Sequence, residues 1–445
     1  MVMCNALRTT TSRALLVSGI AFGLAVPVCA QTHTTVRHRQ VAVDDPSQPP
    51  ALTQAEAAIE QRDYPTAEPL LKTVVEKDPN NYQAWFDLGF LYNAQNKPDD
   101  SIAAYQQSVK ANPAIFESNL NLGLMLVKYN KAGAEDALRA ATRLKPTSHI
   151  EEGQARAWLS LGRLLTATKP NEALQAFQQA ATLKPKDPEP HLSAGSIFEQ
   201  QNKFSDAEQE YKQALALDPG SSAALVGLAN IYMRGARFPE AEEFLRKVAA
   251  QRTHDAVPRI QLARVLAADG KNEDAIAEFQ AALKLAPTDR SAQRDLADVY
   301  LTAGHFPEAE AAYRALLTSQ PNDPQLHYSL GRVLMKQKKF SDAQVEFINA
   351  AKLKPDWGEA YGELAVAANE NENYALTTRA LDARAKFMSE TPVTYFLRAT
   401  AYDHLRDMKQ AAANYHLFLQ MAGGKYPDQE WQAQHRLIAI EPHKK

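Results

Sequence analysis

The string DAEQEYKQALALDP, Asp206 to Pro219, returns as DAIAEFQAALKLAP from Asp274 and again, at the same spacing, as DAQVEFINAAKLKP from Asp342. Such strings close on Pro79, Pro113, Pro146, Pro185, Pro219, Pro287, Pro321 and Pro355, whose numbers differ in turn by 34, 33, 39, 34, 68, 34 and 34. The gap of 68 is two periods, with Thr253 at the missing proline. A unit this short cannot bury an apolar face alone. A fixed period of this size therefore implies units stacked into a solenoid, each closing its core against a neighbour.

Two helical signatures alternate within the period. The first reads WFDLGFLY from Trp85, NLNLGLML from Asn119, WLSLGRLL from Trp158, HLSAGSIF from His191, LVGLANIY from Leu225, RIQLARVL from Arg259, QRDLADVY from Gln293 and HYSLGRVL from His327. Its large residues fall at the first, fourth and eighth places, on one face of a helix. Gly or Ala follows the leucine, as at Gly89, Gly162 and Gly331. Glycine inside a helix costs up to ~1 kcal/mol against alanine, which close helix packing would offset. The second signature places a small residue, an aromatic and another small residue on one face: Ala207, Tyr211 and Ala214; Ala275, Phe279 and Ala282; Ala343, Phe347 and Ala350. The small residues admit the first helix, the ring fills the gap between units, and proline ends the helix.

This alternation resembles the tetratricopeptide repeat family, whose pattern is W-x2-L-G-x2-Y, then A-x3-F, then P, and WFDLGFLY matches its first half letter for letter. About eleven repeats fit from near residue 48 to near residue 425, about 85% of the chain. The resemblance implies an all-α fold, a right-handed superhelical solenoid of about eleven helix-turn-helix units. The first unit is degenerate in its first helix, the tenth (YGELAVAA, from Tyr361) lacks the usual second-helix residues, and the eleventh (YFLRATAY, from Tyr395) keeps register with the ninth. The segment YPDQEWQAQHRLIAI, from Tyr426, reads as a C-terminal capping helix with a polar outer face. The interval from Pro146 to Pro185 exceeds the period and places an insertion at Thr147 to Gln154, a longer turn or an extended helix start.

The chain's opening is set apart. Arg8 and Arg13 precede the apolar run ALLVSGIAFGLAVPV, Ala14 to Val28, and small residues end at Ala30. Residues 1–30 are expected to be a cleaved signal peptide, residues 31–50 a flexible leader, residues 51–425 the solenoid and residues 426–445 the cap and tail. The expected location is outside the cytoplasm, periplasmic or secreted. Both cysteines, Cys4 and Cys29, fall in the signal, so the mature chain needs neither disulfide nor thiolate metal site. Losing the two arginines moves the net charge from −3 to −5, which argues against a nucleic-acid partner. No later apolar run is long enough to span a membrane.

No catalytic string stands in the sequence, and no cofactor or metal is implied. The eleven histidines do not fall at metal-ligand spacings. Trp85 and Trp158 sit at the repeat's own packing position. The expected function is therefore a non-catalytic interaction scaffold. In the family resembled, first helices line a concave groove. The positions that face it would present Arg156, Arg163, Asn230, Arg234, Arg264, Arg294 with Asp298, Arg332 and Lys336, while Glu199 and Gln200 interrupt the series. Arginine's planar fork grips carboxylates, and an asparagine amide both donates to and accepts from a peptide backbone. The expected partner is an extended peptide or protein in envelope assembly or secretion, and an acidic one fits the arginines. Two alternatives stay open: a glycan-binding accessory of polysaccharide export, with Tyr328, Phe396 and Phe86 as its aromatics, and an accessory subunit of an enzyme, for which the Thr147–Gln154 insertion is the first place to look.

Overall fold

The computed structural model describes residues 48–441, so the expected signal peptide and nearly all of the expected leader lie outside the described residues. Among these residues there are twenty-three helices and no strand. They divide into an N-terminal unit that runs to Phe244 and a C-terminal unit that starts at Leu245.

The N-terminal unit holds five hairpins: α1 (Pro50–Glu60) with α2 (Tyr64–Lys77), α3 (Tyr82–Ala94) with α4 (Pro98–Ala111), α5 (Phe116–Lys128) with α6 (Ala134–Arg143), α7 (Ile150–Leu165) with α8 (Pro170–Leu183), and α9 (Glu189–Gln200) with α10 (Phe204–Leu217). Next in order come α11 (Ser222–Arg234) and α12 (Phe238–Gln251), and the division falls within α12. The C-terminal unit continues with α13 (Ala256–Ala268) and α14 (Asn272–Leu285), α15 (Arg290–Ala303) and α16 (Phe306–Ser319), α17 (Pro324–Lys336) and α18 (Phe340–Leu353), α19 (Gly358–Glu370) and α20 (Tyr374–Ala385), and α21 (Pro392–His404) and α22 (Met408–Ala422), and ends on the unpaired α23 (Pro427–Ile440). Eleven successive helix pairs and the cap match the expected repeat count.

The hairpins close as the sequence pattern requires. A Cβ on Gly89 would come within 2.8 Å of the Tyr105 ring, one on Gly162 within 2.5 Å of Phe177 and one on Gly331 within 2.7 Å of Phe347. The rings occupy the space that the missing side chains leave, and all three are buried. Most hairpin turns carry a residue in the left-handed region, among them Asn96, Asn202, Ala236, Gly270, Gly304, Lys338 and Arg406. Of these seven, only Gly270 and Gly304 meet that requirement without Cβ strain.

Carboxylates stitch successive hairpins along the second helices. Glu68 pairs with Lys72 at 2.8 Å on its own helix and with Lys97 at 3.9 Å in the next hairpin. Glu208 does the same with Lys212 at 2.6 Å and Arg237 at 3.4 Å, and Glu310 with Arg314 at 2.9 Å and Lys339 at 2.8 Å. Hydrogen bonds from Lys72 and Lys339 hold Glu68 and Glu310 below the usual carboxylate range. At Glu208 desolvation works upward, and Lys212, Tyr232 and Arg237 together outweigh it, so this carboxyl is lowered too.

The insertion takes both of its expected forms. Thr147 donates from its backbone N–H and its hydroxyl to Glu117 Oε1, at 2.8 and 2.7 Å, which fixes a longer turn. His149, at φ 50°, then starts an α7 of 16 residues, against 13 in α5. The cap covers the last hairpin with Ala433 and Leu437, but its outward face is not uniformly polar, because Trp431 is 60% and Ile438 62% exposed. The Trp431 ring rests on His435 at 4.0 Å, so the cap's own helical spacing shelters part of it.

Candidate functional site

The expected site residues sit on first helices, and each unit presents its own set. In the N-terminal unit, Arg156 and Arg163 are half-buried on α7. Arg163 is ion-paired through Nη2 to Glu189 of the next hairpin. Asn230 is half-buried on α11, and its amide makes no hydrogen bond among the described residues. Arg234, one turn on, is exposed, with its guanidinium 5.7 Å over the Phe204 ring. Glu199 accepts a hydrogen bond from the Tyr211 hydroxyl at 3.0 Å, and desolvation pushes its carboxyl above the usual range although Tyr211 and Arg234 pull the other way.

In the C-terminal unit, Arg264, Asp298 and Arg332 occupy the same repeat position on α13, α15 and α17, one period apart. Their commitments differ. Arg264, 16% exposed in its side chain, reaches Asp295 with Nε at 2.7 Å and Nη2 at 2.6 Å, and Nη2 also donates to Ser291 Oγ at 2.7 Å. Arg294 is ion-paired to Asp323. Asp298 accepts from the Tyr313 hydroxyl, and burial raises its carboxyl above the usual range despite that bond and the Arg294 and Arg332 charges. Asp295 is raised as well, again by desolvation first. Arg332 is half-buried and makes no ion pair or hydrogen bond among the described residues. Tyr328, one turn before it, packs on Trp357 at 4.5 Å, and Lys336, one turn after it, is exposed.

The face is therefore a ladder of paired charges more than a basic strip. Sequence reading picked out the arginines but missed Glu189, Asp295 and Asp323, which hold three of them. The missed signal was an acid a little under one period downstream of each arginine, the sequence distance to the neighbouring hairpin. The aromatic row suggested for a glycan is not available: Phe86 and Phe396 are 1% and 4% exposed and belong to the core. Phe396 instead floors a cavity of about 320 Å³ that Thr400, Tyr415, Trp431, His435 and Arg436 surround. Among the described residues, no cluster of His, Cys, Asp and Glu could hold a metal, and no helix is long and apolar enough to cross a membrane.

Comparison with known proteins agrees with this architecture. A family model described as the cilia and flagella-associated protein 70 C-terminal domain matches residues 47–296, and a tetratricopeptide repeat model matches residues 266–333. Superkiller complex protein 3 of Homo sapiens is 32% identical over 88 residues, 20% of this chain, and that of Mus musculus is 27% identical over 117 residues, 26% of this chain. The chain spans only 6% and 7% of the length of these relatives. Among solved structures, the C-terminal part of a TPR protein from Cytophaga hutchinsonii is 18% identical with a TM-score of 0.47, covering 54% of this chain and 98% of that one. YrrB, described as a TPR protein with an unusual peptide-binding site, is 21% identical with a TM-score of 0.39, covering 42% of this chain and 96% of that one. The period, the paired helices and the matched family models together make this chain a member of the tetratricopeptide repeat family.

Proposed function

We propose that the protein is a non-catalytic scaffold that works outside the cytoplasm and holds an extended peptide segment of a partner protein along its first-helix faces. The observation that carries this reading is the contrast between Arg264, whose donors are spent on Asp295 and Ser291, and Arg332, whose five N–H donors meet no acceptor among the described residues. A half-buried guanidinium on a rigid helix is preorganised to take a carboxylate or a peptide carbonyl. Asn230 supports the reading from the other unit, because its unspent amide can pair with a peptide backbone. The expectation of an acidic partner centres on Arg332, whose donors are unspent although its charge acts on Asp298, whereas Arg163, Arg264 and Arg294 are ion-paired to the protein's own acids. Work in envelope assembly or secretion rests on the basic start and apolar run of residues 8–28.

The test is crosslinking capture from an extracytoplasmic extract, read by mass spectrometry. Wild type is compared with Arg332→Glu and Asn230→Ala, and Arg264→Gln controls for lost internal pairing. A single partner lost with Arg332→Glu or Asn230→Ala but kept by Arg264→Gln supports the reading. Equal capture by all four chains overturns it. The same sample checks export, because the mature N-terminus should be Gln31.

A further inference from the structure

The joint between the tenth and eleventh hairpins carries charge at two positions where its counterparts carry hydrocarbon, beside Leu397, which packs into the core of the hairpins before it. In the repeat register, Arg384 stands where Ala282 and Ala350 stand, and Arg398 where Leu296, Leu330 and Leu364 stand. Those five residues are all buried core. Ser389 takes the place of the helix-stopping Pro355. The two arginines are buried nonetheless, at 7% and 11% side-chain exposure, and share Glu390 between them. Arg398 Nη1 meets Glu390 Oε1 at 2.7 Å, Arg384 Nη1 lies 3.7 Å from Oε2, and Arg384 also donates to the Ser389 carbonyl at 3.0 Å. From α20, Asp382 reaches Arg398 Nη2 at 3.4 Å but is 61% exposed. Glu359 on α19 adds its field at Arg384.

We propose that this Arg384–Glu390–Arg398 triad is an ionic hinge, about which the last hairpin and its cap turn as one body. Four observations support it. The segment beyond the joint has a core of its own, formed by Phe396, Tyr415, Phe418, Ala422, Ala433 and Leu437. The triad is not locked, because Glu390 Oε2 and Arg398 Nε are buried without a hydrogen bond. The linker before it is anchored on the tenth hairpin, where Met388 packs against Gly358 and Phe387 stacks on Tyr361 at 6.3 Å. The capping box of Thr391 and Thr394 then starts α21 afresh, which confines the pivot to Ser389 and Glu390. Coulomb attraction falls slowly with distance, whereas interdigitated side chains lose their contacts within an ångström. Charge at these two positions therefore yields to a rotation about Leu397 more readily than the alanine and leucine of the other joints would. Apolar residues in place of a buried ion triad are often neutral or stabilising, so this joint gives up rigidity that the repeat pattern offers. The consequence is an adjustable C-terminal end to the first-helix face, without unfolding of any hairpin.

Pulsed electron–electron resonance distances test this on the full chain carrying Cys4→Ser and Cys29→Ser. Spin labels at Lys352→Cys and Gln434→Cys span the joint, and labels at Lys284→Cys and Lys352→Cys span ordinary joints of the same unit. The distribution across the joint should be at least about twofold wider than the control, reflecting a separately moving segment. Arg384→Ala with Glu390→Gln and Arg398→Leu should narrow it to the control width. Equal widths in wild type overturn the hinge, whether or not that triple variant folds. Glu390→Gln alone leaves two buried guanidinium groups face to face. It should speed amide exchange in α21–α23 by about tenfold or more while leaving α15–α18 unchanged. An equal acceleration of α15–α18 would show one cooperative body and also overturn the hinge.

Discussion

At the residue scale, the repeat's letters have two kinds of physical cause. Some positions are steric. Gly331 is glycine because the Phe347 ring lies where its Cβ would be, at 2.7 Å. The helix-propensity gain from Gly331→Ala, at most ~1 kcal/mol, is outweighed by an overpacking cost of roughly 1–3 kcal/mol, so the variant should be less stable by about 1 kcal/mol in urea unfolding. A stabilised variant would mean that the ring moves aside freely. Other positions are about hydrogen bonding. The residue that opens the first-helix signature donates to the carbonyl of the preceding repeat's proline: Trp85 to Pro79 at 2.9 Å, Asn119 to Pro113 at 3.0 Å, Gln293 to Pro287 at 2.7 Å and His327 to Pro321 at 2.9 Å. Tryptophan, asparagine, glutamine and histidine are alike there only as N–H donors. The sequence pattern suggested packing at this position, and the shared donor becomes visible once the turn brings the carbonyl within reach.

At the element scale, carboxylates act with opposite signs on the two helices of a hairpin. On second helices, Glu310 is held low by Lys339 and Arg314. Its contribution is present above the unfolded carboxylate pKa and is lost as pH falls through the lower folded value. On first helices, Asp298 is raised by burial. Its folded form therefore favours the proton. The stabilisation from that preference is complete below the unfolded pKa and is lost as pH rises through the folded value, which leaves a desolvation cost at neutral pH. An asparagine at this position could still accept from the Tyr313 hydroxyl. Asp298→Asn should thus stabilise the protein by about 1 kcal/mol at pH 7, and the advantage should shrink below about pH 4. Thermal melts of both chains at the two pH values check this, and an advantage that grows on acidification would sink it. The helices and hairpins were legible in the sequence because periodicity is a local property. The commitments of Arg163, Arg264 and Arg294 were not, since their acids come from a neighbouring hairpin, and only packing decides that Arg264 is spent while Arg332 is not.

At the scale of the whole molecule, stability is a sum over hairpins and the interfaces between them, so damage should stay local. The period revealed this organisation directly, while the ionic joint showed only as a gap in the pattern of the tenth repeat, without its cause. The cap offers the sharpest test of the additive view. Ala433 and Leu437 of α23 cover a face made of Phe418, Tyr415 and Ala422, and Tyr426 packs on Phe418 at 6.1 Å. Truncation after Gly424 removes this cover at a cost of roughly 2–4 kcal/mol of apolar burial, enough to unfold a single hairpin that is held from one side only. The expected outcome is loss of amide protection through α21 and α22 with protection kept in α15–α18. The loss should stop at the joint before α21, where Leu397 and the Tyr374–His404 stack link α21 to α19 and α20 but the face that the cap covers belongs to the last hairpin's own core. If α15–α18 lost protection together with α22, the C-terminal unit would fold as one cooperative body, and the additive account of its stability would fail.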